Sequence, residues 1–230
     1  MKTITIGDLH GRRTWKNIHP DDYDLIVFLG DYVDSLWVDS TTILDNFKEV
    51  IGFKKSHPQK VRLLIGNHET SYLFPASRAS GYRPGMADEV CELLTTNAGL
   101  FQIACQYRNY LWTHAGIHQG FYDHKIKSRI VESDPDLAFT LERLYLESYP
   151  PIFEIGPQRM GSSKNIGGPL WLDKSLIITK PLKGYHQIIG HTRVETIRQY
   201  RPYHNDPATS VTICDCVEYG DGSFYKLEIE

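Results

Sequence analysis

The chain has 230 residues, of which 41% are hydrophobic and 12% aromatic, so it is long enough to bury a sizeable core. Charged residues make up 23% of the chain and the formal net charge is −3. These values exclude a disordered polymer and give no basic excess for a general grip on the backbone of a nucleic acid.

Short apolar runs rich in Ile, Val, Leu and Tyr have the pattern of buried strands. In chain order these runs occupy residues 3–6, 25–29, 61–65, 110–113, 187–189, 210–215 and 223–229. Strands that are apolar on both faces belong to sheets that are covered on both sides. The runs therefore predict an α/β fold.

Helical patterns lie between some of these strands. The first predicted helix begins at a cap formed by Ser40 or Thr41 and ends before Pro58. The second covers residues 87–98, and the third begins with Asp134 as its N-cap. Residues 74–85 and 153–169 contain Gly, Pro, Ser and Arg and are predicted to be irregular loops.

Polar residues that bind metals follow five of the strands. Asp8 and His10 come after the first, Asp31 after the second, and Asn67, His114 and His191 after the next three. In an α/β sheet, ligands gather beyond the carboxyl ends of the strands. One Asp after a Gly is usually a turn residue, but five strand ends of this kind together predict a site for divalent metals.

Five motifs contain these residues: Gly7-Asp8-Leu9-His10-Gly11, Gly30-Asp31-Tyr32-Val33-Asp34, Gly66-Asn67-His68-Glu69, His114-Ala115-Gly116 and Gly190-His191-Thr192. In this order they resemble the signature of the calcineurin-like metallophosphoesterases, and most closely the phosphoprotein phosphatase branch with its bacterial and phage members. The run from Gly168 to Asp173 is also similar to a stretch of that branch. The resemblance implies a four-layer αββα sandwich, which we expect to form one domain over residues 1–230.

The resemblance also implies a role for each residue. Asp8 and His10 would bind one metal ion, Asp31 would bridge two ions, and Asn67, His114 and His191 would complete the second site. A metal-activated hydroxide would attack phosphorus. His68 would act as the general acid for the leaving group, and Asp34 would orient its imidazole.

The second motif departs from the phosphoprotein phosphatase pattern, which continues with Arg-Gly after its second aspartate. This chain has Ser35-Leu36 there, so the arginine that holds the substrate phosphate in that branch is missing. Arg12 and Arg193 are the favoured replacements, because each follows a metal motif directly. The weaker candidates are Arg13, Arg78 and Arg159.

The leading interpretation is hydrolysis of a phosphomonoester, including a phosphoserine or phosphothreonine on a protein. A second is a nucleotide phosphohydrolase that acts on dinucleoside polyphosphates or cyclic nucleotides. The third is a binding scaffold that has lost catalysis, which the complete set of ligands disfavours. An intact His68–Asp34 pair favours an alkyl phosphate, since a poor leaving group needs a proton.

The expected cofactors are two divalent metal ions, with manganese favoured and iron, zinc or nickel also compatible with the ligand set. The expected partner is a phosphorylated substrate, a phosphoprotein or a small phosphoester, with no membrane and no strong nucleic-acid signature. No oligomeric state follows from the sequence. The four cysteines and an opening strand that leaves no room for a signal peptide indicate the cytoplasm.

Overall fold

The computed structural model describes residues 1–74 and 78–230, and the predicted loop 74–85 lies partly outside them. The strands are β1 Lys2–Ile6, β2 Leu25–Phe28, β3 Val61–Leu64, β4 Phe101–Gln102, β5 Ala104–Tyr107, β6 Tyr110–Thr113, β7 His186–Ile189, β8 Arg198–Tyr200, β9 Ser210–Ile213 and β10 Tyr225–Glu228. The helices are α1 Ser40–Ser56, α2 Asn67–Leu73, α3 Ala87–Thr96, α4 Gln119–Phe121, α5 Leu137–Leu146 and α6 Lys174–Ile177.

The chain divides into two compact units, each built around one five-stranded sheet. The first unit comprises Met1–Gln102, Arg193–Thr196 and Cys214–Glu230, and the second comprises Ile103–Thr192 and Ile197–Ile213. The predicted mixed α/β class with two sheets is confirmed. The assignment of all 230 residues to one domain stays a prediction.

The sheet of the first unit has the strand order β10-β1-β2-β3-β4. Strands β1 to β4 run parallel, and β10 pairs antiparallel with β1 in the register Lys2↔Glu228. Because parallel strands end at the same edge, the segments that begin at Gly7, Leu29 and Ile65 leave the sheet side by side. This edge carries the first three predicted metal motifs.

The core of the first unit packs α1 against this sheet. Ile43, Phe47 and Val50 recur at helical spacing and are fully buried. The Phe47 ring stacks on Tyr32, with ring centroids 5.3 Å apart. This packing holds the segment after β2, to which Tyr32 belongs, against the helix.

The sheet of the second unit has the order β5-β6-β7-β9-β8. The three central strands are parallel, and the edge strands β5 and β8 are antiparallel to their neighbours. His114 follows β6 and His191 follows β7. Because these two strands are parallel neighbours, both histidines lie at the same edge of this sheet.

Two predicted helix caps are wrong. Helix α1 is capped by Asp39, whose carboxylate accepts the N–H of Thr42 at 2.9 Å. Helix α5 is capped by Asp136, because Asp134 is occupied by an ion pair with Arg143 at 2.9 Å. In both cases an aspartate directly before the first helical residue accepts a backbone N–H group of the first turn.

Among the described residues, no helix combines the length and the apolar character that crossing a bilayer requires.

Candidate metal centre

The segments that leave the first sheet have unusual backbone conformations at the predicted site residues. His10, Asp31 and Asp34 have φ values of 45°, 53° and 59°. A positive φ in a residue other than glycine costs of order 1–3 kcal/mol and survives only where the surroundings impose it. The strain therefore coincides with the residues that the motifs had marked.

These segments bring the side chains of His10, Asp31 and His68 together. Their candidate ligand atoms all lie within 4.8 Å of one another, and all three residues are buried. The Asp31 Oδ2 atom is 4.0 Å from His10 Nε2 and 3.8 Å from His68 Nε2. His10 and Asp31 supply an imidazole and a carboxylate, donors of the kind that divalent transition metals bind, and the His68 imidazole lies next to them.

The orientation of His10 suits metal binding. Its Nδ1 atom lies 3.0 Å from the carbonyl oxygen of Val33 and 2.7 Å from that of Asp34. Because carbonyls only accept hydrogen bonds, Nδ1 carries the proton and Nε2 keeps its lone pair toward Asp31. Burial lowers the pKa of His10 to about 4, with a smaller effect of the neighbouring His68, which keeps the ring neutral.

Glu69 builds the loop that carries Asp31. This fully buried carboxylate accepts four backbone N–H groups, those of Asp31 at 2.9 Å, Tyr32 at 2.8 Å, Val33 at 3.2 Å and Gly66 at 3.0 Å. Residues far apart in sequence are thereby held in one arrangement.

The charge balance of this edge calls for a cation. Burial raises the pKa of Asp31 well above its usual range, and the nearby Glu69 and Asp215 carboxylates raise it further. Burial also raises the pKa of Glu69 to about 7. Several carboxylates with little access to water are stable together only when protonated or when a cation is bound. The residues present therefore fit a metal centre.

His68 has a second contact that defines its position. Its Nδ1 atom donates to Asp34 Oδ2 at 3.0 Å, and Asp34 Oδ1 accepts the hydroxyl of Tyr72 at 2.5 Å. The Tyr72 oxygen accepts the backbone N–H of Arg83 at 3.2 Å. Tyr72 and Arg83 carry no motif signal, so the sequence analysis missed them.

Arg12 lies beside Ser35, the residue that follows Asp34. Its Nη1 atom donates to Ser35 Oγ at 3.1 Å and to the His10 carbonyl at 3.0 Å. Its Nη2 atom lies 3.1 Å from Glu218. Arg193 reaches the same carboxylate, with Nη2 at 3.6 Å from Oε2.

Glu218 therefore organises both favoured arginines, although the sequence analysis did not single it out. Its side chain is only 2% exposed, and its Oε1 atom accepts the Ser35 hydroxyl at 2.8 Å. One buried carboxylate facing two guanidinium groups leaves a surplus positive charge, which is suited to an anionic substrate.

The other arginine candidates have different surroundings. Arg13 forms an ion pair with Glu49 at 3.3 Å, and Arg78 lies over the Tyr82 ring at 4.8 Å from its centroid. Arg159, in the second unit, donates to the His191 carbonyl at 3.3 Å and to Thr192 Oγ1 at 3.0 Å.

In the second unit, His114 and His191 form a close buried pair. His114 Nε2 and His191 Nδ1 are 3.1 Å apart. Two nitrogens bound to one ion at about 2.0–2.1 Å in tetrahedral geometry lie about 3.3 Å apart, so the spacing suits two ligands of one metal. His191 has a φ of 64°, and its ring meets Trp171 edge-on with centroids 6.0 Å apart.

The remaining predicted ligands, Asp8 and Asn67, are both buried at the ends of β1 and β3. Gly7 precedes Asp8 where the chain passes close to Cys214, and a Cβ atom on Gly7 would lie 2.1 Å from the Cys214 carbonyl oxygen. Only glycine permits this approach. The assignment of all six ligands stays a prediction.

The fold is similar to that of a known phosphatase. The chain shares 15% identity with the cold-active protein-tyrosine phosphatase of a psychrophilic Shewanella species, with a TM-score of 0.57 over 99% of this chain and 80% of that one. A protein serine/threonine phosphatase from Saccharomyces cerevisiae shares 17% identity, with a TM-score of 0.47 over 94% of this chain and 67% of that one. A metallophosphoesterase from Sphaerobacter thermophilus shares 14% identity, with a TM-score of 0.45 over 99% of this chain and 84% of that one.

At these identities the similarity concerns the fold alone, and of these three structures the one from Shewanella supports it. A comparison with curated protein sequences gives no significant match. The family model described as calcineurin-like phosphoesterase matches residues 1–210, which include every motif described above. The chain belongs to the calcineurin-like phosphoesterase family.

Proposed function

We propose that the protein hydrolyses phosphomonoesters of alcohols with the help of two divalent metal ions. Family membership makes the chain a phosphate-ester hydrolase that acts on phosphorylated substrates. The observation that carries the finer proposal is the cluster of His10, Asp31 and His68, with His68 hydrogen-bonded to Asp34. An alcohol leaving group needs the proton that such a histidine can give.

We assign the ions to Asp8, His10, Asp31, Asn67, His114 and His191, following the order of the family motifs, with manganese as the expected metal. When bound, the ions polarise the phosphate and lower the pKa of water for attack on phosphorus. The carboxylate pKa shifts around Asp31 and the ligand-like spacing of His114 and His191 support this assignment.

His68 is assigned as the general acid. Its Nδ1–H bond to Asp34 fixes the imidazole, so the proton on Nε2 is the one available for transfer. Arg12 and Arg193 are assigned to the substrate phosphate, because they share Glu218 and carry more positive charge than it neutralises.

We also propose that the protein resides in a reducing compartment, the cytoplasm. The four cysteines are free thiols, and three of them are buried.

The test compares His68→Asn with the wild-type protein on two esters, p-nitrophenyl phosphate and glycerol 2-phosphate, with added manganese. We expect the variant to keep its manganese and to lose far more activity on the glycerol ester, about 10²–10⁴-fold, because only that leaving group needs a proton. His204→Asn, at an exposed histidine, is the matched control.

Equal losses on both esters would contradict the role of His68 as an acid. A loss of bound manganese in His68→Asn would instead make His68 a ligand. A wild-type protein that cleaves bis-p-nitrophenyl phosphate but neither monoester would refute the monoesterase and favour the nucleotide phosphodiester alternative.

A further inference from the structure

The loop that follows Asp34 exposes a large aromatic side chain. Trp37 is 72% exposed, although exposure of a large apolar indole ring to water is unfavourable in free energy. It lies three residues after Asp34, the partner of His68. A single exposed aromatic ring is unremarkable on its own, so its surroundings decide what it can do.

Trp37 is hydrogen-bonded through both its side chain and its backbone despite this exposure. Its indole N–H donates to the Tyr219 hydroxyl at 3.1 Å, and its backbone N–H donates to Ser35 Oγ at 3.1 Å. Arg83 binds the backbone on either side, donating to the carbonyl oxygens of Ser35 and, at 2.8 Å, of Val38. A ring fixed in this way loses little conformational entropy when a ligand packs on it.

Trp37 and Tyr219 together form what we call the aromatic ledge. They are joined through their polar tips, so the exposed indole face is not used in holding the two side chains together. Tyr219 is itself exposed, and the Arg193 guanidinium lies 3.7 Å from the centroid of its ring. Two fixed rings with an adjoining cation are the usual components of a surface that stacks planar aromatic groups.

The aromatic ledge is connected to the phosphate-binding arginines. Glu218, next to Tyr219 in sequence, pairs with both Arg12 and Arg193. Ser35 bonds to Glu218, to Arg12 and to the backbone of Trp37. One hydrogen-bonded group therefore carries both the cations for a phosphate and the rings for an aromatic moiety.

We propose that the aromatic ledge stacks the base of a nucleoside phosphomonoester whose phosphate is the group hydrolysed. The inference rests on the proposed function and names its substrate class. A planar ring matches the ledge, an anion matches the surplus positive charge around Glu218, and the alcohol leaving group of a nucleoside matches the His68–Asp34 pair. A phosphotyrosine also carries a ring and a phosphate, but its phenolate is a better leaving group than an alkoxide and depends less on an acid.

The experiment measures kcat/KM for adenosine 5′-monophosphate and for ribose 5-phosphate with manganese. Both esters release the primary hydroxyl group on C5 of a ribose, and they differ in the base. We expect the wild-type protein to prefer the nucleotide by about 10- to 100-fold, the range of stacking on one aromatic side chain. Trp37→Ala should bring the ratio close to one, Trp37→Phe should restore part of it, and Leu36→Ala, which removes an exposed side chain without a ring, should leave it unchanged.

A wild-type ratio near one, or a preference that survives in Trp37→Ala, would overturn the proposal while leaving the phosphomonoesterase intact. A preference for phosphotyrosine peptides over phosphoserine peptides that depends on Trp37, without a preference for the nucleotide, would overturn it in favour of an aryl phosphate. If neither ester is cleaved, the substrate class proposed here is wrong, whereas the phosphomonoesterase itself is judged by the assay with glycerol 2-phosphate.

Discussion

Glu69→Gln tests whether one buried carboxylate builds the loop that carries Asp31. In the native protein, Oε1 accepts the N–H groups of Tyr32 and Val33, and Oε2 accepts those of Asp31 and Gly66. Glutamine has nearly the same shape but only one acceptor oxygen, and its amide group is a donor. Two of the four backbone N–H groups would therefore face a donor instead of an acceptor.

The size of the effect follows from this count. A buried donor without a partner costs about 1–3 kcal/mol, so two of them cost about 2–6 kcal/mol. Glutamine also avoids the cost of burying a negative charge, which offsets part of this loss. We therefore expect the free energy of unfolding to fall by about 2–4 kcal/mol. That is a large fraction of the 5–15 kcal/mol that stabilises a typical domain. Because Asp31 lies on the same loop, the affinity for manganese should fall as well.

The assay is urea denaturation with manganese at pH 8, alongside a titration of bound metal. The matched control is Glu142→Gln, since Glu142 accepts a single backbone N–H, that of Ile103 at 2.7 Å, which the amide oxygen can still accept. We expect less than about 1 kcal/mol for the control. A loss below about 1 kcal/mol in Glu69→Gln, with unchanged metal affinity, would refute the reasoning.

Three further predictions concern the same region. Gly7→Ala should lower the unfolding free energy by about 3 kcal/mol or more, because the new Cβ would lie 2.1 Å from the Cys214 carbonyl oxygen, and an unchanged melting temperature would contradict this close packing. Tyr72→Phe removes the hydroxyl that donates to Asp34 and should lower kcat by about tenfold without changing the manganese content, so a loss of metal would contradict a positioning role. Burial raises the pKa values of Asp34 and Glu69 to about 7, above those of the unfolded chain. Their stabilising protonation is complete below about pH 4 and is lost as the pH rises through about 7. The metal-free protein should therefore melt at lower temperature at pH 8 than at pH 5.5, manganese should reverse the trend, and a metal-free melting temperature that rises over this range would show that these groups do not dominate.

The strands that were predicted and those that were missed differ in where their stability comes from. The buried strands β1, β2 and β3 have continuous apolar runs that need a covered sheet, so composition alone indicates them. Strand β4 has two residues, and β8 reads Arg-Gln-Tyr at an edge of its sheet. Such segments become strands through pairing with a neighbour, which the local sequence does not encode.

The site residues divide in the same way. Asp31, His68 and Asp34 lie in short motifs after strands, so their contacts could be expected before the structure was known. Glu218 lies 183 residues from Ser35, and its hydrogen bond to that hydroxyl depends on the return of the chain end to the first unit. The same return pairs β10 with β1. No local pattern marks a residue whose role depends on such a contact.

The sequence by itself determined the α/β class, the family and the residues that follow each strand, because alternation of buried strands with Gly-Asp, Gly-Asn and Gly-His turns is a local property of the chain. The tertiary structure decided how those residues are supported. It placed Glu69 under the Asp31 loop, Tyr72 on Asp34, and Glu218 between two arginines. These arrangements join segments that are distant in sequence, and the free energy that selects them comes from burial and hydrogen bonding that exist only once the chain has folded.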